Sequence, residues 1–218
     1  MSEDVSPLSI AGAATAPPRH VCAFFNSDDE HYRVLMPFLR EGFEERDKIV
    51  QILSEDRRLD YLQRLAAAGI DVQAAMKNGQ LEVQRNTETY MREGRFDADR
   101  MLQAFEQMAD ASERGPFRRS RIVCHMEWAA DHRAYIDDVI EFESRVTDVW
   151  RRHESAVICT YDLTRFGGGT VVDIIRTHPL VIMGGVLQHN PFFVPPEEFL
   201  RERRARRGLQ SFAVPPAV

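Results

Sequence analysis

Between Asn26 and Glu30, the loop that follows the first strongly apolar run, the sequence has no Gly and no Lys, and three of the five residues are acids. A phosphate-binding loop needs glycines so that backbone N–H groups can wrap the anion, a Lys for the outer phosphates, and a Ser or Thr for magnesium. Clustered carboxylates repel a polyphosphate, which argues against ATP hydrolysis at this loop. No apolar stretch approaches the roughly 20 residues needed to cross a bilayer, and the N-terminus has no basic segment followed by a secretory core. A cytoplasmic protein without a membrane partner is therefore expected. Positive charge is also short: the net charge is −6. That argues against direct nucleic-acid binding, which rests on clustered Lys and Arg. The one basic run, Arg201 to Arg207, reads as a solvated last helix. No Cys-x-x-Cys occurs, and Cys22, Cys124 and Cys159 each sit in an apolar, strand-like run, so they read as reduced, buried thiols.

The chain has 218 residues, of which 44% are hydrophobic and 28% charged, enough for one substantial core. Residues 1–19, rich in Ala, Ser and Pro, read as a disordered leader, 20–200 as a single domain, and 201–218 as a basic, then Pro-rich tail. Strands are expected at Val21–Phe25, Lys48–Leu53, Leu81–Arg85, Arg121–Trp128 and Ala156–Asp162, with a strand or bent hairpin at Leu180–Leu187. Helical spacing appears over Tyr32–Glu45, with Pro37 near its start, over Arg57–Ala68, with Leu59, Leu62 and Leu65 on one face, and over Ala98–Glu113, Ala134–His153 and Val171–Thr177. Strands alternating with helices predict an α/β fold whose mostly parallel central sheet is covered by helices on both faces, a three-layer core.

In open α/β sheets, ligands gather at the carboxyl ends of the strands. That rule selects Asn26 to Glu30, Arg85, Glu127 with Trp128, and Tyr161 with Asp162. A carboxylate beside an indole can hydrogen-bond a polar ligand while the ring supplies flat apolar contact; alternatively Glu127 pairs with Arg121 or Arg85 and Trp128 fills core. Phe24 belongs to an aromatic group that reads first as core. His20 and Cys22 share one strand face, as do Cys159 and Tyr161, with Asp162 pointing the other way. None of the seven histidines shows a metal-ligand spacing, so no metal and no cofactor are expected. His178-Pro179 reads as a helix-terminating pair.

Taken in order, His20-Val-Cys-Ala-Phe-Phe, Pro37-Phe-Leu-Arg-Glu-Gly42, Gly94-Arg-Phe-Asp97, Arg121-Ile-Val-Cys-His-Met-Glu-Trp-Ala, Phe142-Glu143, Cys159-Thr-Tyr-Asp162, His178-Pro179 and Asn190-Pro191 resemble the MEDS domain, the sensory domain of methanogen and methylotroph regulators of the DcmR type. The resemblance runs from about His20 to Phe199. It implies a RecA-like or KaiC-like core with a degenerate phosphate loop that serves as a bacterial or archaeal sensor of small organic molecules. One departure is Cys124-His-Met-Glu-Trp128, where the family often has Gly-Glu-Met before Trp. On this reading the protein is a non-catalytic sensor that relays to a separate signalling protein, such as a kinase, an anti-sigma-type factor or a transcription regulator, or to another copy of itself. Its ligand would touch His20, Phe24, Asn26, Arg85, Glu127, Trp128, Tyr161, Asp162 and His178. The alternatives are a ligand-independent oligomerisation scaffold and a residual enzyme with Glu127 as base.

Overall fold

Periodicity turns into architecture in a computed structural model that describes residues 8–212, apart from the side chains of residues 112–113 and 207–212. A short antiparallel hairpin, β1 (Leu8–Ile10) and β2 (Ala13–Thr15), precedes the alternating part. Then follow β3 (His20–Phe25), α1 (Asp28–Glu44), β4 (Lys48–Leu53), α2 (Glu55–Ala67), α3 (Val72–Lys77), β5 (Leu81–Arg85) and α4 (Ala98–Arg114). The remainder comprises β6 (Ser120–His125), α5 (Glu127–Asp131), α6 (Ile136–Trp150), β7 (Ala156–Asp162), α7 (Gly168–Thr177), β8 (Leu180–Met183), β9 (Val186–His189) and α8 (Pro196–Phe212).

The main sheet has seven strands in the order β5-β4-β6-β7-β3-β8-β9. Every pairing in it is parallel except β8 with β9. Because side chains alternate along a strand, Cys22, Phe24, Val50, Ile52, Ile122, Cys124, Val157, Cys159 and Tyr161 face one side, into a core shared with α4, α6, α7 and α8. Val21, Ala23, Phe25, Ile49, Val123 and Ile158 face the other, against α1, α2 and α3. The predicted three-layer α/β fold is the observed one.

Several local expectations need correction. Residues 8–15, expected within a disordered leader, form the β1–β2 hairpin. The alternation of Leu8 and Ile10 buries both side chains completely in the α1 side of the core, and the turn takes positive φ at both Ala11 and Gly12. Residues 1–7 and 213–218 lie outside the described residues. Helix α1 starts earlier than predicted because Ser27 caps it by accepting from the Glu30 backbone N–H at 3.2 Å, so Pro37 lies in the helix interior. In α2, Tyr61 and Leu65 face the core while Leu59 is 67% exposed. The predicted strand ending at Trp128 stops at His125, and Glu127 and Trp128 begin α5. Helix α3, too short for a clear apolar period, went unpredicted; Asp71 caps it.

At the amino ends of β4 and β6 an ionic cluster is buried. Asp47 Oδ2 accepts from Arg119 Nε at 3.0 Å and Arg121 Nε at 2.7 Å, and Arg121 Nη1 donates to the Phe38 carbonyl at 2.6 Å. Gly42 makes room for this arrangement, since a Cβ there would stand 2.7 Å from Arg121 Cδ. Removing Asp47 leaves two buried guanidinium groups with only the more exposed Glu45 and Glu41 carboxylates as ionic partners. Asp47→Ala is therefore expected to cost about 3–5 kcal/mol of unfolding free energy in urea titrations, and an unchanged midpoint would refute the assignment.

Candidate functional site

The structure distributes the nominated residues over four places. His20, Tyr161 and His178 come together in the interior, with Phe24 stacked on Tyr161 at a centroid separation of 5.6 Å. Asn26, Glu127 and Asp162 lie around the carboxyl ends of the central strands. Trp128 is packed on Tyr90 at 4.9 Å and Phe96 at 5.4 Å, within an aromatic cluster that includes Phe105 and Phe142. Arg85 stands apart, paired with Glu55 at 2.7 Å and Glu88 at 3.4 Å.

The interior group is built around a carboxylate that no strand-end rule selects, Glu143 on α6. Tyr161 donates its hydroxyl to Glu143 Oε1 at 2.7 Å. On the other oxygen, Oε2, converge His20 Nε2 at 3.2 Å, His178 Nε2 at 3.4 Å and Cys159 Sγ at 3.5 Å. All five residues are buried. Burial would raise the Glu143 carboxyl, but its contacts with His178 and His20 outweigh this and hold it well below the usual carboxylate range. Desolvation, reinforced by His178, lowers His20 to about 4 and leaves its ring neutral at pH 7. Burial pushes the Tyr161 hydroxyl and the Cys159 thiol up.

Around the strand ends, a small cleft is lined by Phe25, Ser27, Asp28, His31, Glu127 and Thr160 to Asp162. Glu127 pairs with Arg57 at 3.5 Å, and Arg57 also donates to Asp28 at 2.7 Å. Of the alternatives drawn from sequence, a structural Arg partner for Glu127 is what the structure contains, although the partner is Arg57. Burial raises the Glu127 carboxyl and Arg57 opposes the rise. Behind the cleft, the rings of His31 and His125 meet edge to face at 4.9 Å. The free volume is only about 10 Å³, close to one water molecule. An organic ligand does not fit there without rearrangement.

A larger cleft, about 430 Å³, opens between α4 and the β5 edge of the sheet. Val50, Met101, Ala104, Met108 and Phe117 give it apolar walls, and Gln84, Arg92 and Arg100 are among its polar residues. This is the size range of small-molecule sites. None of the nominated residues lines it. The signal present in the sequence was the Met-rich inner face of α4, which the helical period assigns equally well to core.

His31 provides a pH test of this carboxyl-end region. Desolvation, then the Arg57 charge, lowers its imidazole to about 4, with Arg64 acting in the same sense and Asp28 opposing; its neighbour His125 is also held well below the ordinary histidine range by burial, then by His31. Unfolded histidine titrates near 6.5, so below that value the unfolded chain binds the proton and the folded one resists it. The resulting stability is complete above about pH 6.5 and is lost as pH falls toward 4, by about 3 kcal/mol for a shift of this size. His31→Asn is expected to show a shallower loss over that window in urea titrations; an identical slope would show that His31 is protonated freely in the folded state.

Residues 19–179 match the family described as MEDS: MEthanogen/methylotroph, DcmR Sensory domain. The chain is also 24% identical over 180 residues to the transcriptional repressor DcmR of Methylorubrum extorquens, an alignment covering 81% of this chain and 64% of that protein. The match takes in β3, the acidic loop after it, the aromatic cluster and every member of the Glu143 group, and this chain belongs to the MEDS family of sensory domains.

Proposed function

We propose that the protein senses a small organic molecule in the cleft beneath α4 and relays occupancy to a separate regulatory partner without chemical turnover. The observation that carries this reading is the cleft of about 430 Å³, apolar at its walls and polar at selected points. A weakly polar molecule would gain by covering the half-buried Ala104, Met108 and Phe117, while Gln84 or Arg100 orients it. Met101 also belongs to the buried cluster that contains Trp128 and Phe142, so a ligand under α4 presses on the packing between α4 and α6. Membership of a sensory family and similarity to a transcriptional repressor support an output in transcription control. Such an output requires the ligand to favour one conformer over another.

The test is a thermal-shift screen of short-chain, halogenated and aromatic compounds. A ligand of the native state raises apparent stability by about 2.7 kcal/mol at a hundredfold excess over its dissociation constant. Ala104→Trp, which fills the cleft, is expected to abolish the shift, and Glu127→Gln to leave it intact. Turnover of the bound compound that disappears in Glu127→Gln would instead establish the residual enzyme.

A second reading, a ligand-independent interaction module, is favoured by the β8–β9 hairpin. Met183 and Val186 pair across it and are 47% and 55% exposed. Light scattering separates the two: the sensor is expected to change mass or partner affinity with ligand, the module to hold one assembly state throughout.

A further inference from the structure

We propose that His20, Glu143, Cys159 and His178 form a closed, tetrahedral site for a divalent transition-metal ion, with zinc as the ion its donors suit best. The first ground is distance. Each residue offers one ligand atom, and the four atoms lie within 4.8 Å of one another. The separations from Glu143 Oε2 are 3.2 Å to His20 Nε2, 3.4 Å to His178 Nε2 and 3.5 Å to Cys159 Sγ, and Cys159 Sγ is 3.8 Å from His20 Nε2. Zinc–nitrogen and zinc–oxygen bonds near 2.0 Å and zinc–sulfur bonds near 2.3 Å imply tetrahedral edges of about 3.3 Å between N and O and about 3.6 Å to S. These four separations fit those edges, and a pair as wide as 4.8 Å would close by roughly 1 Å around the ion.

The second ground is the direction of the lone pairs. His178 Nδ1 lies 2.9 Å from both the Ile174 carbonyl and the Thr177 hydroxyl; with the Thr177 hydrogen given to the Ile174 carbonyl at 2.8 Å, the tautomer protonated on Nδ1 fits and leaves Nε2 with a bare lone pair. His20 Nδ1 lies 2.9 Å from the Thr147 hydroxyl, and when that hydroxyl gives its hydrogen to the Thr177 carbonyl at 3.3 Å it accepts from Nδ1 and leaves Nε2 bare. Both Nε2 atoms then turn bare lone pairs toward a carboxylate oxygen, and the buried His178 Nε2 has no hydrogen-bond partner. Without an ion, an imidazole N–H turned to Glu143 Oε2 holds the carboxylate; with both hydrogens on Nδ1, acceptors face acceptors away from solvent and repel one another. One cation among them satisfies all four.

The surroundings are those of a metal site. Imidazole Nδ1–H groups bonded to backbone and hydroxyl oxygens, and a carboxylate held through its other oxygen by Tyr161 at 2.7 Å, are the outer-shell supports that orient ligands. Two imidazoles, a thiolate and a carboxylate suit zinc, and a buried set of four leaves no open coordination position, which marks a structural or regulatory ion. The ligands come from β3, α6, β7 and the end of α7, so the ion would tie four elements together.

The full chain, expressed in cobalt-supplemented medium and purified without metal-affinity steps, is expected to carry one ion per chain by mass spectrometry. It should show the ligand-field bands of tetrahedral cobalt and a thiolate-to-cobalt charge-transfer band. Tyr161→Phe is expected to keep both signatures with affinity weakened about 10–100-fold, and Cys159→Ser to lose the charge-transfer band. Should Cys159→Ser fail to fold, the band in the unsubstituted protein decides. A folded protein isolated without stoichiometric metal, or a cobalt complex without thiolate charge transfer, overturns the proposal.

Discussion

A carboxylate buried where α6 meets β3 and β7 organises this half of the molecule. Glu143 has no exposure to solvent, and an ionised group there is tolerable only if each oxygen is occupied. Tyr161 takes one oxygen and the His20, His178 and Cys159 side chains crowd the other. These partners have their own requirements. His20 needs Thr147 one helical turn beyond Glu143, and His178 needs the last carbonyls of α7. The rotation of α6 and the point at which α7 stops are therefore set by the same group of contacts.

The opposite face of the sheet satisfies its buried charge differently. There Asp47, Arg119 and Arg121 lie at the amino ends of the strands, closed by carbonyl and carboxylate groups of α1. Arg121 also stacks over Phe38, with its guanidinium 4.8 Å from the ring centroid. Opposite charges at close range hold that cluster together, although the buried Asp47 Oδ1 and Arg121 Nη2 have no hydrogen-bond partner. The Glu143 group differs in kind: two imidazoles and a thiol gather around one carboxylate oxygen.

The fold was legible in the sequence wherever periodicity and burial coincide. Four apolar runs became parallel strands because a strand covered on both faces reads as continuous hydrophobicity, and β5, at the sheet edge, shows instead the alternation of a half-buried strand. The hairpin at residues 8–15 escaped because three-residue strands are shorter than any pattern window, and Ala and Ser around Leu8 and Ile10 dilute the signal. Leu59 misled because a three-residue spacing of leucines fits the helix without saying which flank faces the core. The site was less legible. The strand-end rule found Glu127 and Asp162, beside a cleft of about 10 Å³, while Glu143 sits mid-helix among apolar residues. His20, Cys159, Tyr161 and His178 lie up to 158 positions apart in sequence, and only the register that sets His20 opposite Val157 and Cys22 opposite Cys159 brings them together.

Helix α6 joins the proposed ligand cleft to the Glu143 group. Phe142 meets Phe105 of α4 at 5.4 Å and Tyr90 at 6.1 Å, and the next residue is Glu143. A close-packed aromatic cluster does not compress, so a molecule wedged under Met101 displaces α4 against α6 or is refused. Any rotation of α6 that relieves the pressure at Phe142 also moves the Glu143 oxygens relative to His20 and His178, which are anchored to other elements. On the proposed reading, occupancy of the cleft and the geometry of the buried group would be coupled, and the coupling would be reciprocal: whatever fixes Glu143 in place would change affinity under α4 by the factor with which the ligand changes it in return. A sensory domain built this way needs no hinge and no lid, only one helix whose neighbouring residues serve two sites.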